Sequence, residues 1–103
     1  MRLEHYSVEK LKKQILSIIN KHKETKDAQV FFFGSRVRED NFERADIDLG
    51  IQAQQKISSK TKFIIKEELE NLPILYKIDF IDFNNVSSEF KQEALKNIEY
   101  VKK

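Results

Sequence analysis

With 103 residues the chain is sized for a single domain, 1–103. A hydrophobic fraction of 40% builds one modest core beneath a heavily charged surface, and the lack of cysteine excludes disulfides and zinc–thiolate sites. The net charge of +2 is spread along the chain among acids, which disfavours a dedicated nucleic-acid binder; no run approaches the roughly 18 apolar residues of a membrane span, the opening residues lack the apolar core of a signal peptide, and a cytoplasmic protein is expected.

Ser7 reads as the N-cap of a first helix, with Glu9 in its first turn and Val8, Leu11, Ile15, Ile18 and Ile19 at helical spacing. The stripe ends near His22, a residue expected to be solvated at the helix end. His5 carries no signal, and two histidines do not make an imidazole metal site. Gln29–Phe33 is a short β-rich run closed by Gly34, the first strand. Asp46–Ile51 alternates at period two, the second strand.

A second helix is expected from Ser58 or Ser59, turning Phe63, Ile65, Leu69 and Leu72 inward and stopping before Pro73. Tyr76–Phe83 is the third strand. Ser87 or Ser88 caps a last helix with Phe90, Ala94, Ile98 and Val101 on one face. The order is α-β-β-α-β-α. It predicts a two-layer α/β fold: a small mixed sheet of three strands with helices mainly on one face, the other face partly open to water.

Within that frame the acids are misplaced. Asp46 and Asp48 lie two apart on a strand, so both point to one face, while Ile47, Leu49 and Ile51 point to the other. Their Cα atoms are about 6 to 7 Å apart. Aspartate is disfavoured in strands, and like charges this close repel unless a cation sits between them. Mg²⁺, which takes carboxylate oxygens, waters and phosphates, meets that need. A half-exposed strand with two surface acids is the competing reading of the DxD alone. Asp79 interrupts another apolar strand and can lie beside the pair if the strands are neighbours. Asp82, three residues on, faces the opposite way. The turn at Gly34-Ser35 allows a ligand close to the backbone, and a short helix begun by "SRVRE" would aim N–H groups at a phosphate, with Arg36 and Arg38 nearby. An ordinary β-turn with solvated arginines is the plainer alternative.

Taken together, "GSRVREDNFERADIDLGI" and Asp79 resemble the minimal nucleotidyltransferases of the DNA polymerase β-like superfamily, with their GS-x₁₀-DxD pattern and a third acid on a later strand. The resemblance runs from Val30 to about Asn84. Two positions depart from it: Glu39 stands where glycine is common, and Ala45 where a serine often precedes the first aspartate.

The resemblance implies that Asp46, Asp48 and Asp79 are the catalytic acids and hold Mg²⁺. It also implies that Gly34, Ser35 and Arg36 bind the triphosphate of ATP or another nucleoside triphosphate. A hydroxyl would attack the α-phosphate and release pyrophosphate. Chains of this size are similar to the MNT antitoxins paired with HEPN toxins, so AMP transfer to a hydroxyl of a HEPN partner is the expected activity. The alternative is a catalytically weak antitoxin that neutralises its HEPN partner by occlusion, which Glu39 and Ala45 favour. A homo-oligomer is compatible with the sequence.

Overall fold

The computed structural model describes residues 1–38 and 46–103. Glu39 and Ala45, the two departures from the family pattern, lie outside the described residues.

Helix α1 spans Val8–Asn20, and its N-cap Ser7 accepts from the Lys10 N–H at 3.2 Å. Leu11, Ile15, Ile18 and Ile19 are buried, as their spacing predicts. Strand β1 is Gln29–Phe33, followed after Gly34 by a single helical turn, α2, at Ser35–Arg38. Strand β2 is Ile47–Gln52, helix α3 is Ser59–Glu70 and strand β3 is Ile78–Asp82. Helix α4 is Ser88–Ala94 and strand β4 is Glu99–Lys102.

Two expectations are corrected here. The last helix does not run through Val101: it closes at Leu95, and the chain continues as β4, which pairs antiparallel with β1. The free edge of β1 offers backbone partners that Tyr100 and Val101, both strand-favouring, can use. The sheet therefore has four strands among the described residues, in the order β3-β2-β1-β4. It is mixed: β1 runs antiparallel to β2 and β4, and β2 runs parallel to β3. The second correction concerns Phe63, which is 62% exposed rather than turned inward. Ile65 and Leu69, four residues apart, form the buried face of α3. Phe63 precedes Ile65 by two, about 200° round the helix.

The core lies mainly on one face of the sheet. Val30, Phe32, Ile47, Leu49, Ile51 and Phe80 meet the buried stripes of α1 and α3 there. The opposite face is more covered than the sequence suggests. Phe31, Phe33 and Phe83 form a second cluster, with Ile81, Val86, Ala94, Leu95 and Ile98 packed against it. Phe31 and Phe83 meet edge to face at 4.9 Å between centroids. This aromatic floor is what α4 sits on.

Contacts across the connections fix α3. Glu24, in the loop after α1, accepts from the Ser58 N–H at 2.5 Å, and its second oxygen accepts from the Ser58 and Thr61 hydroxyls at 3.0 Å each. His22 is not simply solvated: with Lys21 it contacts Glu68 of α3, the His22 Nε2 at 3.0 Å. No helix among the described residues is long and apolar enough to cross a membrane.

Candidate active site

The sheet register brings the predicted acids together. Asp48 of β2 is the direct partner of Asp79 of β3 in the parallel ladder, and the partner of Phe33 in the antiparallel one. Directly paired residues share a face. Asp48 and Asp79 therefore stand side by side on the face carrying the aromatic cluster, at the β1 end that leads into Gly34. Asp46 precedes β2 by one residue and is exposed. Asp82 is turned to the other face, where its Oδ2 lies 3.3 Å from Lys62 Nζ of α3. Its carboxylate also accepts from the Asn84 N–H and the Asn85 amide, at 3.0 and 3.2 Å.

Gly34 closes over Asp48. Its φ of 81° lies in the left-handed region that glycine tolerates, and a Cβ there would overlap the Asp48 carboxylate. The Gly34 carbonyl accepts from the N–H groups of Val37 and Arg38, both at 3.2 Å, which forms the turn of α2. Ser35 follows, half-buried. The two arginines then part. Arg36 is only 4% exposed, with its guanidinium carbon 4.8 Å from the centroid of Tyr76. Arg38 is exposed and close enough to Asp48 for its charge to be felt there.

Asp48 reports the electrostatics of the site. Burial, and after it the carboxylates of Asp79 and Asp46, push the Asp48 carboxyl above the usual range, and Arg38 offsets this only in part. The fold thus holds a half-buried acid against two others.

Comparison with known proteins bears on this arrangement. The family described as polymerase beta, nucleotidyltransferase, matches residues 13–103. The chain belongs to that family. No curated protein matches this nucleotidyltransferase chain. Solved structures share its fold at low identity. A crystal structure of a toxin–antitoxin with AMP-PNP superposes with a TM-score of 0.69 at 14% identity, over 87% of this chain and 71% of that one. A toxin–antitoxin MntA–HpeT mutant gives 0.68 at 12%, over 87% and 70%. A tri-AMPylated HEPN toxin of Shewanella oneidensis in complex with its MNT antitoxin gives 0.64 at 14%, over 91% and 71%.

The donor set of this nucleotidyltransferase suits a divalent cation: carboxylate oxygens, the ligand type Mg²⁺ prefers, in a field that positive charge would relieve. Among the described residues, no three acidic or imidazole side chains stand close enough to enclose an ion as they lie. Asp48 and Asp79 are the register pair, and Asp46 adds its charge from the exposed mouth of β2.

Two features of the site escape a residue-by-residue reading. Phe33 forms its apolar side, yet in the sequence it is one of three consecutive phenylalanines. Gly50 lies under the rings of Phe31 and Phe83, where a Cβ would come within 2.6 and 2.7 Å of them. The signal was present, a glycine inside an otherwise branched strand, which marks close approach of another group.

Proposed function

We propose that the chain is a Mg²⁺-dependent nucleotidyltransferase that moves AMP from ATP to a hydroxyl of a HEPN-type partner protein, as the antitoxin half of a two-component module. The observation that carries this reading is the pairing of Asp48 with Asp79 in the β2–β3 ladder, with Asp48 directly against the Gly34 turn. The family supports the reaction class. The neighbours bound to AMP-PNP, or paired with an AMPylated HEPN toxin, support the choice of nucleotide and partner. A cytoplasmic location and a single domain over 1–103 belong to the same reading.

Each residue has a task in it. Asp46, Asp48 and Asp79 would hold Mg²⁺, with Asp46 drawn in from the mouth of β2, and the ion would supply charge neutralisation for the triphosphate and the leaving group. Gly34 and Ser35 present the backbone turn to the phosphates. Arg36, packed on Tyr76, fixes that turn, and Arg38 supplies the nearby positive charge. Asp79, the more exposed of the ladder pair, takes the proton of the acceptor hydroxyl. The hydroxyl oxygen bonds to the α-phosphorus, the bond from that phosphorus to the bridging oxygen breaks, and pyrophosphate departs. Positioning and charge do most of the work in such transfers.

Incubation with ATP, Mg²⁺ and the candidate HEPN partner tests it, with intact-mass measurement of the partner for added AMP. Modification of a tyrosine, serine or threonine is expected. A partner that binds tightly and stays unmodified moves the reading to an antitoxin that acts by occlusion. That second reading has its own support in Phe63 and Leu75, which are largely exposed and suit a protein contact.

A further inference from the structure

The ring of Phe90 is only partly covered by the protein. It is 43% exposed, on a helix that buries no residue completely. Its ring centroid lies 6.0 Å from that of Phe33 at an interplanar angle of 84°, and 5.8 Å from that of Phe83 at 55°. Neither contact is a parallel stack. Phe33 is the ladder partner of Asp48, so Phe90 stands on the carboxylate face of the sheet, one ring beyond the acids. The charge of Arg38 is felt both at Asp48 and at Glu93, one turn along α4 from Phe90. The face thus carries, side by side, two carboxylates, a cation and a half-open apolar ring held at steep angles by two others.

We infer that Phe90 is the platform on which the base of the bound nucleotide stacks, a role that rests on the nucleotidyltransferase reading above. A nucleoside triphosphate has a polyanion at one end and a flat π-surface at the other, and the site offers a match to each. An exposed aromatic side chain gains by covering its ring with a base, and every base has a π-face to offer. Phe90 therefore adds affinity for the nucleoside end without choosing among bases: ATP and GTP gain alike. Its role is distinct from that of the acids and the Gly34 turn, which meet only phosphate and metal.

Calorimetry with two ligands separates these contributions. Mg²⁺–ATP and Mg²⁺–tripolyphosphate share the polyanion, and only the first has a base. Phe90→Leu is expected to weaken ATP and GTP on the order of tenfold and to leave tripolyphosphate unchanged. Phe90→Trp, which enlarges the π-face, holds or tightens ATP and guards against a variant that simply fails to fold. An unchanged ATP affinity in Phe90→Leu overturns the inference, as does an equal loss for ATP and tripolyphosphate, or weakened ATP in a folded Phe90→Trp. If the unmodified protein binds neither ligand, the nucleotide reading itself falls and takes this inference with it.

Discussion

Asp48 and Asp79 are direct partners in the parallel β2–β3 ladder, two carboxylates on one sheet face where a neutral pair would pack more favourably. Neighbouring strands lie about 4.8 Å apart. A fold that keeps such a pair tolerates a local cost, and that cost can be measured.

The cost depends on pH. The Asp48 carboxyl is raised in the folded protein by burial and by Asp79 and Asp46. A raised acid binds its proton more tightly when folded. Its contribution favours folding at low pH and is lost as pH rises through the folded value, so at neutral pH the ionised group opposes folding. Asp48→Asn is therefore expected to melt at a higher temperature than the unmodified protein at pH 7.5 without metal. The gap should close as pH falls below the ordinary carboxylate range, where Asp48 is protonated in folded and unfolded chain alike. A variant less stable at pH 7.5 would contradict this account of the site.

Metal should reverse the ranking. Mg²⁺ stabilises only a native state that binds it, by mass action. Millimolar Mg²⁺ should raise the melting temperature of the unmodified protein and leave Asp48→Asn and Asp46→Asn nearly unmoved. Equal shifts in all three would place any bound Mg²⁺ elsewhere.

The two acids of β3 should separate cleanly. Asp79 lies on the site face, while Asp82 is bound to Lys62 and the Asn84–Asn85 turn on the other. Asp79→Ala should abolish AMP transfer with little change in stability. Asp82→Ala should keep most of the transfer and lose about 1.5–3 kcal/mol of stability, the worth of a hydrogen bond to a charged group. Transfer assays and urea midpoints on the two variants check both halves, and the reverse pattern would mean the acids have exchanged roles.

Gly50 gives a purely structural test. A Cβ at this position would press on Phe31 and Phe83 at under 3 Å. Gly50→Ala should cost about 1–3 kcal/mol by overpacking, read as a lower urea midpoint at an unchanged slope. A neutral effect would mean that the aromatic floor yields more easily than its packing suggests.

The elements that carry the site were largely legible in the sequence. Period-two alternation gave the facing of Asp46 and Asp48, and Ser7, Ser58 and Ser87 were readable as caps because each hydroxyl meets an N–H three residues on. The fourth strand was hidden. Phe90, Ala94 and Ile98 sit at helical spacing, and Ala94 and Ile98 do share one cluster, whose rings Phe90 meets, but Ile98 and Val101 fall on opposite faces because the helix stops between Ala94 and Glu99. Periodicity alone cannot report that break, since a four-residue strand spans barely more than one helical turn of about 3.6 residues. The separation of Arg36 from Arg38 was equally invisible, for it depends on where Tyr76 comes to rest, forty positions away along the chain.

The late strand also bears on how the protein is made. Phe31 and Tyr100, far apart in the sequence, face each other across the β1–β4 ladder. During synthesis the "VFFF" run of β1 emerges long before its second neighbour exists, leaving one row of backbone donors and acceptors on a strongly apolar strand without its partner. Such edges invite pairing with other chains. Contacts between residues so distant in sequence also form slowly. Until β4 has been made, that unpartnered row is the place where the nascent chain is most prone to pair with others.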